Sequence, residues 1–222
     1  MIEEVIISDP SHADVIRHRI MDAGEKSFAE WGFAAASLRQ ITTEAGVNLA
    51  AVNYYFGSKE NLYTAIISRG VQPINRARLA LLEEARNQQS PQPLDIEAIL
   101  TAFCRPCFDF VSDRKQSPLL ILLGKSMYEN EAFMFRLMDQ EWKPIVIVFL
   151  DELRRSLPHL NEADLSWRFH FTVGAMIHTI SQAKALEFLT AGLCTIHENE
   201  NALRHLISFC SAGMSTTGAA KS

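Results

Sequence analysis

The chain is poor in the features that mark several broad classes of protein. It has four cysteines in 222 residues, at irregular positions, so nothing reads as the disulfide framework of a small secreted domain. Glycine and proline are few, ten and eight, and no stretch alternates apolar and polar residues with strand period. The longest apolar runs, PLLILLG and IVIVFL, are too short to span a bilayer. The opening MIEEVIISDP carries acids and no basic start, unlike a secretory leader. Positive charge is also short: 21 lysines and arginines against 26 acids, net −5. A general electrostatic grip on nucleic acid is thereby excluded, and any such function must rest on a local site. A soluble protein of the reducing cytoplasm, with no membrane partner, is expected.

What is present is apolar periodicity of helical type. Nearly half the residues are apolar, enough for a sizeable core, and the expected fold class is all-α. Ile16, Ile20, Ala23 and Phe28 mark one face of a first helix that Gly32 should stop. Ser37 with Gln40 three residues on reads as a capping box. It opens a short helix that buries Leu38, Ile41 and Ala45. Gly46 breaks that helix, Asn48 caps a third, and Val47 and Val52 occupy hydrophobic-staple positions. Gly57 makes a turn, and Ser58 caps a fourth helix running toward Arg86. Two short helices joined by a tight glycine turn have the outline of a helix-turn-helix. The expected division is a DNA-binding domain over 11–58, a connecting helix four over 59–86, and a helical ligand-binding and dimerisation domain over 87–213. The polar, proline-bearing NQQSPQP at 87–93 is the internal break. Beyond it, helices are expected at about 94–113, 117–128, 131–156, 162–188 and 199–212. Pro144 should kink the third of these or mark an early break. The last residues, SAGMSTTGAAKS, read as a disordered tail.

At 100° per residue, Val52, Tyr55 and Phe56 face the other two helices, while Ala50 and Tyr54 lie opposite, flanked by Ala51 and Asn53. The outer face is small or hydrogen-bonding and holds no acid. A small residue at position 50 permits close approach to a major groove. Asn53 can pair with adenine N6 and N7, and an alanine methyl can meet a thymine methyl. Tyr54 can reach a phosphate. So can Lys59 and the free N–H groups opening helix four. Ser37 and Arg39 point to the same surface. Asn48 and Leu49 complete the candidate DNA-contacting set with Ala50, Ala51, Asn53, Tyr54 and Lys59.

The string SLRQITTEAGVNLAAVNYYFGSKENL resembles the DNA-binding segment of the TetR family of bacterial transcriptional regulators. The corresponding residues are Ser37-Leu38-Arg39, Gly46-Val47, Asn53-Tyr54-Tyr55-Phe56 and Ser58-Lys59-Glu60. The resemblance is specific over roughly 13–70, and the front motif looks closest to the fatty-acid-responsive members. It implies a repressor that binds a palindromic double-stranded operator as a homodimer. It also implies a small hydrophobic or amphipathic effector, and a dimer interface built by the last two long helices. Two recognition helices would then lie about 34 Å apart, one DNA turn.

The rest of the chain offers candidates for these roles. In the helix at 162–188, Leu165, Phe169, Val173, Met176 and Ile180 form one apolar stripe. Trp167, Phe171, Gly174 and His178 form another, so two sides must be covered. The first stripe, with Leu203, Leu206 and Ile207, is the expected dimer interface. The expected pocket lining is Phe103, Arg105, Phe108, Met127, Met134, Met138, Trp142, Trp167 and Phe171, with adaptable methionines suited to irregular apolar ligands. Arg105 and Arg136 could hold an acidic group. A rival reading rests on CRPC. Cys104 and Cys107 have the spacing of a thiol-redox site, without the surrounding βαβ pattern, which would make the chain a thiol-redox protein or a redox-sensing regulator. No catalytic constellation, phosphate loop or metal-ligand spacing stands out, since His170 and His178 lie too far apart for a zinc helix. No cofactor is expected.

Overall fold

The computed structural model describes residues 12–113, 135–195 and 199–216. Among them the secondary structure is helical: α1 His12–Ala35, α2 Leu38–Ala45, α3 Leu49–Phe56, α4 Lys59–Gln89, α5 Ile96–Asp113, a π-helical turn Met138–Trp142, α6 Lys143–Ser156, α7 Glu162–Ser181, α8 Ala183–Leu189 and α9 Asn199–Ser215. None of these helices is long and apolar enough to cross a membrane. The chain divides into two compact units between Gly70 and Val71, inside α4. The polar stretch at 87–93 instead forms the α4–α5 turn within the second unit, with a cis Ser90–Pro91 bond. The expected helix at 117–128 and the C-terminal residues from 217 lie outside the described residues.

The first unit is held by a small core of α1 to α4. Ile20, Met21 and Phe28 of α1, Ile41 and Ala45 of α2, Val52 and Phe56 of α3, and Leu62, Tyr63, Ile66 and Ile67 of α4 are buried. Each large aliphatic or aromatic side chain removed from water contributes about 1.5–3 kcal/mol. Tyr63 packs edge-on against Phe28 and Phe33, with ring centroids 5.0 and 5.1 Å away. Arg69 of α4 ties back to α1 through Asp22 at 2.7 Å and Glu25 at 2.8 Å. Gly32 breaks α1 as expected: its φ of 77° and ψ of 169° are non-helical, a conformation open to glycine. Leu38 is half-buried rather than buried, and Thr42 takes the interior position beside Ile41 and Ala45.

The second unit surrounds one apolar core. Ile99, Leu100, Phe103 and Phe108 of α5 pack in it with Ile145, Phe149 and Leu153 of α6, Leu165, Phe169 and Met176 of α7, and Leu203, Leu206, Ile207, Cys210 and Met214 of α9. The Phe103 ring lies edge-on to Phe149 at 5.1 Å and to Phe169 at 4.9 Å. Pro144 falls in the first turn of α6, where a missing N–H costs nothing. The preceding turn widens, and Lys143 N–H donates to Met138 O five residues back, a bulge that absorbs the proline. The helix expected at 162–188 is interrupted at Gln182, whose φ of −109° and ψ of 19° are off the helical values. Arg168 of α7 donates to Met214 O and Thr216 O, both at 2.6 Å, so a cation satisfies the carbonyls ending α9.

Candidate nucleic-acid interface

The geometry of the helix-turn-helix follows from two ends. Gly46, at φ 63° and ψ 40°, ends α2 in the left-handed region. Val47 N–H reaches Thr42 O at 3.0 Å and Gly46 N–H reaches Thr43 O at 3.1 Å. This pair of bonds is a Schellman closure. A second constraint acts at the same glycine: a Cβ there would sit 2.5 Å from an Arg19 terminal nitrogen. Asn48 then starts α3, accepting Ala51 N–H on Oδ1 at 3.0 Å. Ser37 differs from expectation. Its backbone is extended and its carbonyl accepts Ile41 N–H at 3.0 Å, but its hydroxyl caps nothing. The capping box is not formed, and α2 rests on its buried face and its glycine end. Ser58 does cap α4, accepting Asn61 N–H at 3.1 Å. Asn61 in turn donates from Nδ2 to Phe56 O at 2.9 Å, fixing the end of α3 against the start of α4.

This frame sorts the candidate contacts. Val52 and Phe56 point inward, while Asn48, Leu49, Ala50, Asn53 and Tyr54 are exposed, Tyr54 to 83%. Ala51 and Ser37 are half-buried, and Arg39 is exposed at the start of α2. Tyr54 stands edge-on to Tyr55 at 5.0 Å. Lys59 is half-buried: its Nζ lies 3.4 Å from Ala34 O and 4.8 Å above the Phe33 ring. Glu44, an acid near this surface, is matched by Lys26 at 3.2 Å. An open cleft of about 540 Å³ runs beside α3, lined by Ile16, Gly46, Val47, Asn48, Ala50, Ala51, Tyr54 and Tyr55. Two cations that the sequence pattern did not single out belong to this neighbourhood. Arg19 lies against Gly46, and Arg17 stacks over the Phe56 ring at 5.5 Å. Helical spacing alone could have placed Ile16 and Arg19 on one face of α1, but not opposite α2 and α3.

The candidates of the second unit are redistributed. Leu165, Phe169, Met176, Leu203, Leu206 and Ile207, expected at a dimer interface, are buried within their own chain. Val173 and Ile180 are partly buried against the same core. Conversely Trp167 and Phe171, expected to line a pocket, are 60% and 63% exposed and stack on each other at 5.7 Å. The stripe facing outward is therefore the second one. Both stripes are apolar, and periodicity does not say which meets the core. Phe103 and Phe108 are core residues, Trp142 is half-buried, and Met138 and Arg136 are exposed. Arg105 is paired with Glu200 through both terminal nitrogens, which lowers the Glu200 carboxyl below its ordinary range. It is not a waiting anion site. Met127 and Met134 lie outside the described residues.

Cys104 is buried, and burial pushes its thiol far up. Burial pushes the Cys107 thiol up as well, although Arg78 pulls it down. A reactive cysteine needs a lowered pKa, so these two are poor nucleophiles. Among the described residues no group of histidines, cysteines and carboxylates is arranged to hold a metal ion.

Two family models match the chain. Residues 20–66 match bacterial regulatory proteins of the tetR family, and residues 101–213 match the tetracyclin repressor-like C-terminal domain. The chain is 36% identical over 96 residues to the HTH-type transcriptional dual regulator CecR of Shigella flexneri, covering 43% of this chain and 42% of that protein. It is 28% identical over 120 residues to the HTH-type transcriptional activator FasR of Mycolicibacterium smegmatis, covering 54% and 51%. The matched segments thus span about half the length of these relatives or less. The fold is similar to that of a TetR-like transcriptional regulator from Rhodococcus sp. RHA1, with a TM-score of 0.61 at 16% identity over 93% of this chain and 96% of that one.

Proposed function

The chain belongs to the tetR family of bacterial regulatory proteins, and from that premise we propose that it is a cytoplasmic, ligand-responsive repressor acting as a homodimer on a palindromic operator. The observation that carries the reading is the outer face of α3. Ala50, Asn53 and Tyr54 are exposed together on a helix whose other side is anchored by Val52 and Phe56. Asn53 reads a base, by the adenine pairing open to an asparagine amide. Ala50 allows α3 to approach, and Tyr54, Arg39 and Lys59 hold the backbone. Ser37, Asn48, Leu49 and Ala51 line the approach, with Asn48 Oδ1 committed to its own helix start.

The outward stripe of α7, Trp167, Phe171, Gly174 and His178, is the proposed dimer face. Exposed aromatics of this size on a helix call for a covering surface, and Gly174 has open space around its Cα. A small hydrophobic or amphipathic effector bound in the second unit favours one separation of the two α3 helices over another. Its differential affinity for the two states supplies the whole of the shift toward release.

The test is a comparison of two substitutions on single-base operator variants. Asn53→Ala is expected to cost roughly 1–3 kcal/mol at one base pair and to flatten preference there. Lys59→Ala is expected to weaken all sequences alike. Unchanged base preference in Asn53→Ala would remove the proposed reading role.

A further inference from the structure

Arg78 of α4 is 3% exposed, yet its partners are uncharged. Nε donates to Phe103 O at 2.9 Å, one terminal nitrogen to Asn75 Oδ1 at 3.0 Å, and the other to Cys107 Sγ at 3.0 Å. The guanidinium carbon stands 4.1 Å from the Phe103 ring centroid. Asn75, itself buried, is fixed by donating from Nδ2 to Glu141 O at 2.7 Å. Three other cross-helix arginines meet carboxylates: Arg69 meets Asp22 and Glu25, Arg86 meets Glu152, and Arg105 meets Glu200; Arg168, which meets carbonyls, is only half-buried. Among the described residues no carboxylate stands within ion-pair distance of Arg78.

Part of this arrangement has a structural reason. Pro106 lies inside α5 and withholds the N–H that would meet Ala102 O, so the ladder is weakened one residue before the Phe103 carbonyl that Arg78 reaches from α4. A neutral amide would serve that carbonyl as well, so the charge is surplus to this role. Cys107 Sγ accepts one of its hydrogen bonds, and burial pushes that thiol up although Arg78 pulls it down. An arginine stays charged at any working pH, and a buried charge is costly unless it is paired. Three of its five N–H donors are engaged, which leaves one hydrogen on each terminal nitrogen. Hydrogens on two terminal nitrogens are what an end-on guanidinium–carboxylate pair uses. The Phe103 ring beneath it belongs to an apolar core that also holds Leu82, Phe108 and Phe149. Cys107 is only half-buried, so one edge of the network comes near the surface.

We propose that Arg78 anchors the acidic head of the effector, and that the effector is an apolar carboxylate whose tail enters the core beside Phe103. The proposal rests on the effector-responsive reading above and gives it a ligand class. Two free donors and a single cation suit one carboxylate better than a multiply charged phosphate.

The experiment is calorimetric titration of the full-length protein with three probes of equal chain length: decanoate, decanol and decyltrimethylammonium. Wild type is expected to bind decanoate at least about tenfold more tightly than decanol, and the cationic probe least. R78Q should lose that preference while keeping its helical circular dichroism and its operator binding. R78K keeps the charge but loses the planar fork, and should bind decanoate about fivefold or more weakly than wild type. It serves as the second variant should R78Q fail to fold. Equal binding of decanoate and decanol by wild type would overturn the anchor and leave an apolar effector standing. So would an unchanged preference in R78Q or unchanged affinity in R78K. Failure of all three probes to bind a protein that still binds operator would overturn the apolar-carboxylate class itself.

Discussion

Ser27 of α1 shows how much one side chain can decide. It is buried, and its Oγ has no hydrogen-bond partner among the described residues. A hydroxyl stripped of water without compensation destabilises, and alanine is the better helix former. Ser27→Ala is therefore expected to raise stability by roughly 0.5–1.5 kcal/mol, read as a higher denaturant midpoint at unchanged slope. A fall would show that the hydroxyl has a partner in solution. At this scale, legibility depended on distance along the chain. Asn48 and Ser58 were readable as caps because the N–H groups they accept lie three residues away. Ser37 had the same credentials, yet its hydroxyl caps nothing, since residue type does not fix a rotamer. Arg17, Arg19 and Arg78 were not legible. Their counterparts, Phe56, Gly46 and Phe103, lie 25 to 39 residues away, and only folding brings them together.

Among the elements, α7 is the instructive case. Its two apolar stripes were evident in the sequence, but not which of them meets the chain's own core. Leu165, Phe169 and Met176 face their own core, while Trp167 and Phe171 face out. Hydrophobic period fixes which residues share a face, not which neighbour covers it. The short helices were easier. In α2 and α3 the amphipathic pattern is bounded by glycines, so the turn followed directly and the faces did too, apart from Leu38 and Tyr55, which are half-buried. The α7 assignment makes a prediction. Trp167→Glu with Phe171→Glu should leave helicity intact, convert the protein to a monomer in sedimentation, and weaken operator binding by about two orders of magnitude, because the two half-sites would no longer be bound together. A double variant that stays dimeric would move the interface elsewhere.

For the whole molecule, the acidic balance and the DNA-binding reading are reconciled by locality. The net charge of −5 argues against a general affinity for nucleic acid. The exposed face of α3, however, carries no acid, and nearby Glu44 is paired with Lys26. The all-α class was legible from periodicity throughout. The unit boundary was not, because α4 runs unbroken from Lys59 to Gln89 through the division at Gly70 and Val71, and no composition change marks it.

The most direct test of the central claim is the stoichiometry and salt dependence of binding to DNA fragments selected by the protein from a random pool, with an unrelated fragment as control. The account predicts a palindromic consensus and two protomers per site. It predicts selectivity over the control of at least about three orders of magnitude. Affinity should fall between about 50 and 200 mM salt, with a slope set by a handful of phosphate contacts. Equal binding to selected and unrelated fragments, or one protomer on a site without symmetry, would contradict it.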